Sequence, residues 1–162
     1  MQKNDMKVLM SSNSDEWTTP DDLFKELNRN FSFTLDTATN GENSKCDKFF
    51  TPSENGLIQS WEGERTFTNP PHSIISDWVK KNYEESKKDT QPKVMLIPAR
   101  TDTQYFSKYC SLASNLYFIK GRLKFSDSKN SAPFPSVIVV FHSLREGTRN
   151  VQWCDKEFKE FW

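Results

Sequence analysis

Thr66-Phe67-Thr68-Asn69-Pro70-Pro71-His72-Ser73-Ile74-Ile75 is the stretch on which the fold turns. A short strand runs into two consecutive prolines, which stop both helix and sheet because each ring fixes φ near about −65° and removes an N–H donor. Ser73 is placed to cap a helix whose apolar set, Ile74, Ile75, Trp78 and Val79, lies on one face with Lys80, Lys81, Glu84 and Glu85 largely opposite. Lys93-Val94-Met95-Leu96-Ile97-Pro98 follows, a continuous apolar run of the kind found in a central parallel strand. Strand, turn, helix and strand in that order predict an α/β sheet sandwiched by helices, with ligands taken up beyond the C-terminal ends of the strands.

The flanking sequence agrees. Residues 18–31 read as a helix, with Thr19 as N-cap, Pro20 at the first helical position, Asp21 and Asp22 in the first turn, and Leu23, Phe24, Leu27 and Phe31 along one face. Residues 31–36 alternate apolar and polar and predict a short strand ending at Asp36, a carboxylate well placed to meet a ligand. Residues 37–60, rich in Asn, Ser, Thr and Gly and anchored by Phe49 and Phe50, read as a structured loop with at most a short helix. Tyr105, Phe106 and Tyr109 fit a short helix, and residues 116–119 and 136–141 two further strands. The closing segment with Trp153, Phe158, Phe161 and Trp162 is expected to pack as core or lid.

At 162 residues the chain suffices for one domain, expected over residues 15–162, with residues 1–14 as a flexible N-terminal segment. Its apolar share is only 35%, but 13 Phe and 5 Trp supply large buried areas per residue, which argues against global disorder. The longest aliphatic or aromatic run is five residues (137–141), whereas a membrane helix needs roughly 20. Residues 1–14 carry no apolar block before a small-residue cleavage site, so a cytoplasmic location is expected. Cys46, Cys110 and Cys154, odd in number and far apart, read as reduced thiols. With only His72 and His142 and no HExxH or CxxC, no metal site is expected. Five scattered glycines and the absence of GxGxxG, GxxxxGK[ST] and GxSxG exclude dinucleotide oxidoreductases, P-loop enzymes and serine hydrolases.

Charge is unevenly spread. Residues 1–60 hold 6 basic and 10 acidic side chains, and residues 61–162 hold 16 and 12. Positions 93 to 149 concentrate 9 basic against 3 acidic residues, a plausible polyanion footprint within a chain of zero net charge. Lys120, Arg122 and Lys124 fall at every second position, so an extended segment would point all three to one side; Gly121 among them signals a bulge or turn.

The Asn-Pro-Pro loop is the candidate for chemistry. Prolines leave only carbonyl acceptors, and the Asn69 side-chain oxygen and the Pro70 carbonyl could each take one hydrogen of a planar exocyclic amino group. The competing reading is a rigid strand-to-helix turn.

Glu16-Trp17-Thr18-Thr19-Pro20 opens a helix, and Leu35-Asp36 is followed by small residues. Trp61 then stands upstream of Asn69-Pro70-Pro71, and Ile97-Pro98-Ala99-Arg100-Thr101-Asp102 and Gly121-Arg122-Leu123-Lys124-Phe125 precede a strand that begins at Ser136. Taken together and in this order, these motifs resemble the phage-type DNA N-6-adenine methyltransferases over nearly the whole chain. The resemblance implies a Rossmann-like S-adenosylmethionine-dependent fold, with a mostly parallel central sheet flanked by helices. It implies a cofactor pocket lined by Trp17, Thr18, Thr19, Pro20, Asp36, Ala38 and Asn69, and a catalytic loop of Asn69, Pro70, Pro71 and His72. It further implies double-stranded DNA as partner, contacted by Arg100, Lys120, Arg122 and Lys124, with the target adenine flipped out, and a monomer acting in a bacterial host's cytoplasm. Two positions depart from the wider class: His72 stands where Tyr, Phe or Trp usually follows the prolines, and Asp36-Thr37-Ala38-Thr39-Asn40 lacks the usual glycines. His72 also admits a non-catalytic reading, a binder of DNA or of a host protein. A methyltransferase acting on RNA or another amino-bearing substrate is a third reading.

Overall fold

The computed structural model describes residues 17–126, 128–145 and 149–162; residues 1–16, and with them the expected N-terminal segment and Glu16, lie outside. Seven strands form one sheet: β1 (Leu35–Asp36), β2 (Lys48–Phe49), β3 (Thr66–Thr68), β4 (Lys93–Pro98), β5 (Asn115–Ile119), β6 (Ser136–Phe141) and β7 (Asn150–Cys154). Their spatial order is β2-β1-β3-β4-β6-β5-β7. Four of the six pairings are parallel, and only β6 runs against its neighbours β4 and β5. The sheet is therefore mixed and mostly parallel. Among the described residues three α-helices accompany it: α1 (Asp21–Phe31), α2 (Ile75–Ser86) and α3 (Gln104–Lys108).

The alternation of side chains along β4 explains why its run is apolar throughout. Val94 and Leu96 pack with Leu23 and Leu27 of α1, Phe67, Ile138 and Val140 on one face. Met95 and Ile97 pack with Ile75, Trp78 and Val79 of α2, Tyr105 and Phe106 of α3, and Val137 and Val139 on the other. A strand covered on both faces has no polar side to show. The cysteines are unpaired, and burial pushes the Cys110 and Cys154 thiols up to about 12.

Local departures from expectation have local causes. Thr19 does not cap α1: Pro20 occupies the cap position, and the helix begins on the Phe24 N–H to Pro20 carbonyl bond with Asp21 and Asp22 in its first turn. Ser32, at φ 50°, closes α1 in the left-handed conformation, so residues 32–34 only link helix to sheet and the strand starts at Leu35. Ser73 does not cap α2, because a tight helical turn over His72–Ile74 comes first and Ile74 takes the cap position without a side-chain bond. Of the C-terminal aromatics only Phe158 is core; Trp153, Phe161 and Trp162 are half exposed, with Trp153 and Trp162 paired through their backbones. Among the described residues no helix is long and apolar enough to cross a membrane.

Lys93 is 0% exposed. Its Nζ donates to the Glu64 carbonyl at 2.6 Å, the Trp61 carbonyl at 3.3 Å and Asp89 Oδ2 at 3.0 Å, tying the entrance of β4 to the loop before β3. The ammonium is thus paired and hydrogen-bonded, as a charge removed from water must be. Replacing Lys93 with Met leaves Asp89 without its counter-ion and is expected to lower the unfolding free energy by about 3 kcal/mol in urea titrations. A loss below ~1 kcal/mol would show that the pair is not effectively buried.

Candidate active site

Strands β1 and β3 lie side by side and parallel, yet the chain leaves them in opposite directions: from β1 outward to β2, and from β3 through α2 to β4. The two connections diverge beyond the C-terminal ends of the pair and leave a crevice there. Beneath it the strands are stitched together. Thr37 Oγ1 and Thr68 Oγ1 are 2.6 Å apart, and Asn82 of α2, 0% exposed, bonds Thr68 Oγ1 at 3.3 Å and the Trp78 carbonyl at 2.9 Å.

The crevice opens as a cavity of about 220 Å³. One wall is Asp36, which ends β1, with Thr37, Ala38 and Thr39 after it; another is Asn69, Pro70 and Pro71, following β3. Trp17, Thr18 and Thr19 cross its mouth ahead of α1, and Ile74 and Trp78 close it from α2. The floor comes from residues 50–57, including Phe50, Asn55, Gly56 and Leu57. Six of the seven residues expected to hold a cofactor (Trp17, Thr18, Thr19, Asp36, Ala38 and Asn69) line this one space. Pro20 does not.

Asp36 is 3% exposed. Its Oδ2 accepts from the Lys45 N–H at 2.9 Å and its Oδ1 from the Ala38 N–H at 3.4 Å. Burial outweighs these bonds and pushes the carboxyl up to about 6. The cavity also touches Trp78, whose indole N–H is buried without an acceptor among the described residues. A buried acid that resists ionisation and a buried donor left unsatisfied are what a polar, cationic ligand would relieve.

The Asn69 carboxamide is fixed. Its Nδ2 donates to the Trp17 carbonyl and, at 2.9 Å, to Thr19 Oγ1, which leaves Oδ1 as the atom able to accept from a ligand. Pro71, at φ −57° and ψ 133°, carries the loop into the helical turn that begins at His72. His72 is not part of the cavity lining. Its ring stacks on Trp17, with centroids 5.9 Å apart at 14°, and meets Phe134 edge-on at 5.2 Å. Phe125 and Phe134 also pack edge-on against Trp17. Trp17 thus belongs both to the cavity and to an aromatic cluster that contains His72.

The basic surplus does not form one patch. Arg100 follows β4, and Lys120, Arg122 and Lys124 follow β5; since β4 and β5 both run antiparallel to β6, these four lie at the edge where the cavity opens. Lys93, Arg145 and Arg149 lie at the opposite edge, and Lys93 is buried. The expected row of three is also broken. Gly121, at φ +76°, ends the extended run after Lys120, whose Nζ sits 3.4 Å from the Trp162 ring centroid. Arg122 and Lys124 alone share an exposed side, alternating with buried Leu123 and Phe125.

The floor residues are the part of the site that sequence reasoning missed. Asn55-Gly56 is a turn dipeptide, and Gly56 is needed because a Cβ there would lie 2.3 Å from the Thr37 carbonyl and 3.0 Å from the Trp78 ring. Trp61, 0% exposed, reaches back from its Nε1 to the Gly56 carbonyl at 2.9 Å and stacks on Trp78. An Asn-Gly dipeptide five residues before a tryptophan was the available signal.

Fold and site define a Rossmann-like methyltransferase class of α/β protein. The fold is found in a crystal structure described as a modification subunit of a type I restriction enzyme from Vibrio vulnificus YJ016, with a TM-score of 0.52 and 9% identity over 88% of this chain and 47% of that one. Residues 7–159 match the family model of DNA N-6-adenine-methyltransferase (Dam), and the chain belongs to that family. It is 28% identical over 155 residues to the DNA N-6-adenine-methyltransferase of Escherichia phage T1, covering 82% of this chain and 65% of the relative, so it spans just under two thirds of that protein. The DNA N-6-adenine-methyltransferase of Haemophilus phage HP1 is 28% identical over 138 residues, 80% of each chain.

Two outcomes are expected. A carboxyl whose pKa rises from 3.8 to about 6 on folding contributes stability that is full below about pH 4 and is lost as pH climbs through 6. The stability difference between wild type and Asp36→Asn, measured by urea unfolding at pH 4 and pH 7, should therefore shift in the variant's favour by on the order of 2–3 kcal/mol. Gly56→Ala should cost at least about 2 kcal/mol, since backbone and a packed indole must both move, with calorimetry as the check.

Proposed function

We propose that the chain transfers a methyl group from S-adenosylmethionine to the exocyclic amine of an adenine in double-stranded DNA. The observation that carries this reading is the Asn69 carboxamide, tethered through its nitrogen, with its oxygen taken by no partner among the described residues, in the lining of the cavity at the sheet's switch point.

The lining suits the cofactor. Asp36 gains from a cation, while Asn55 and Thr18 offer polar side chains and Phe50, Leu57, Ile74 and Trp78 an apolar wall. When bound, S-adenosylmethionine supplies a methyl group on a positively charged sulfur. The chain's own groups must then prepare the acceptor. Adenine's amino lone pair is delocalised into its ring, so the nitrogen is a poor nucleophile. Asn69 Oδ1 and the Pro70 carbonyl, accepting one hydrogen each, favour the tetrahedral nitrogen whose lone pair is localised for attack. Because the prolines and the Nδ2 tether hold these acceptors in place beforehand, little reorganisation is needed at the moment of transfer.

Trp17, His72 and Phe134 form a ring cluster next to the cavity, where a flipped base can find apolar company in exchange for the stacking it leaves. Arg100, Arg122 and Lys124 stand at the same edge of the sheet and are suited to phosphate contacts; Lys120 joins them if it leaves the Trp162 ring. One chain supplies every group in this scheme, so a monomer is sufficient, and the bacterial cytoplasm of a phage host provides both substrates.

The test is transfer of labelled methyl from S-adenosylmethionine to duplex DNA. Label is expected on adenine N6, and Asn69→Ala should reduce the rate at least ~100-fold, about 2.7 kcal/mol of barrier. Tight cofactor binding with no labelled nucleic acid would sink the substrate assignment.

A further inference from the structure

The nitrogen of Asn69 is held more firmly than a turn requires. A carboxamide is nearly symmetric in shape, and its terminal torsion is broad and roughly two-fold, so an unrestrained Asn exchanges its oxygen and nitrogen readily. In one orientation the side chain offers an acceptor to an amine; in the other it offers two donors, which an amine's hydrogens repel. The proposed reaction tolerates only the first.

Both hydrogens of Nδ2 are spoken for, one by the Trp17 carbonyl and one by Thr19 Oγ1. The Trp17 carbonyl can only accept, so a flipped carboxamide would set oxygen against oxygen there. Thr19 is 2% exposed, so its hydroxyl meets the second hydrogen from the protein interior, and removing it takes away that partner. The segment that carries both acceptors is itself anchored twice. Asn43 Nδ2 donates to Thr18 Oγ1 at 3.0 Å, and the Ser126 N–H donates to the Thr18 carbonyl at 3.0 Å.

We propose that Thr19 is a positioning residue: its hydroxyl, together with the Trp17 carbonyl, locks the Asn69 carboxamide so that Oδ1 faces the substrate amine. The reading rests on the methyl transfer proposed above, and assigns to Thr19 a role distinct from forming the cavity wall. It explains why Thr19 stands next to a helix it does not cap.

The test uses the full chain with Thr19→Val, which keeps shape and loses the acceptor, and Thr19→Ser, which restores it. Thr19→Val should lower kcat about tenfold while the KM for DNA and the Kd for S-adenosylmethionine change less than about twofold, and Thr19→Ser should return kcat to within about threefold of wild type. In nitrogen-15 spectra, the two side-chain amide protons of Asn69, identified by their loss in Asn69→Ala, should be shifted downfield and slow to exchange. One of them should lose both properties in Thr19→Val and regain them in Thr19→Ser. An unchanged kcat in Thr19→Val overturns the proposal, as does a loss matched by weaker cofactor binding and not recovered by Ser. Should the wild type transfer no methyl, the functional reading falls, and the amide resonances alone decide: protons that are indifferent to the Val substitution refute the lock.

Discussion

Two strand ends that the chain leaves in opposite directions must be kept together, and the Thr37–Thr68 hydroxyl contact, braced by Asn82, does this at the base of the crevice. Backbone bonds hold β1 to β3 over only a few residues, since β1 has two and β3 three. One further backbone bond, from the Thr37 N–H to the Phe67 carbonyl at 3.1 Å, follows, and beyond it the walls of the cavity diverge. A fully buried carboxamide satisfied by a threonine hydroxyl and a helix carbonyl adds directional bonds where the ladder has run out. It also fixes α2 to the strand end, and α2 brings Ile74 and Trp78 to the site.

That arrangement carries a cost at Asp36. The residue closes β1, and the fold that makes the crevice deep enough to enclose a ligand also takes its carboxylate out of water. Two backbone N–H groups offset part of the desolvation, as the rise to about 6 records. Near neutral pH the group is mostly ionised and incompletely compensated, so the cavity is electrostatically strained toward a cation. The strain and the binding function have one source.

How much of this was legible in the sequence depended on whether the signal was local. The apolar run of β4 and the proline pair after β3 announce strand, stop and site with no help from tertiary contacts, and Asp36 was readable as a strand-end carboxylate. Thr19 was misread because a Thr-Pro-Asp-Asp sequence has every local property of a capped helix start; a partner 50 positions away, Asn69, takes its hydroxyl instead. Ser73 failed for a similar reason, the chain entering α2 through a tighter turn. The floor was invisible because residues 50–57 build no long periodic element, and Gly56 has a reason to be glycine only once the Thr37 carbonyl is brought against it. The family signature linked these segments by their order and left the contacts between them unread.

The orientation of β6 has the furthest-reaching consequence, and no single-strand pattern encodes it. Inserted antiparallel between β4 and β5, β6 begins at the edge where both of them end, with Ser136 opposite Pro98 and Val137 opposite Phe118. The segment joining β5 to β6 therefore stays at that edge instead of crossing to the far side, as a parallel connection must. Its residues Phe125 and Phe134 reach Trp17, Leu123 and Phe125 enter the core, and Arg122 and Lys124 are left facing outward between them. One reversed strand thus places exposed cations, an aromatic cluster and the Asn-Pro-Pro loop at a single edge. Arg145, which follows β6, is carried to the other edge by the same reversal, and Lys93 and Arg149 stand there at the starts of β4 and β7. In this protein the direction of a strand, more than the density of basic residues, decides where a polyanion can be met.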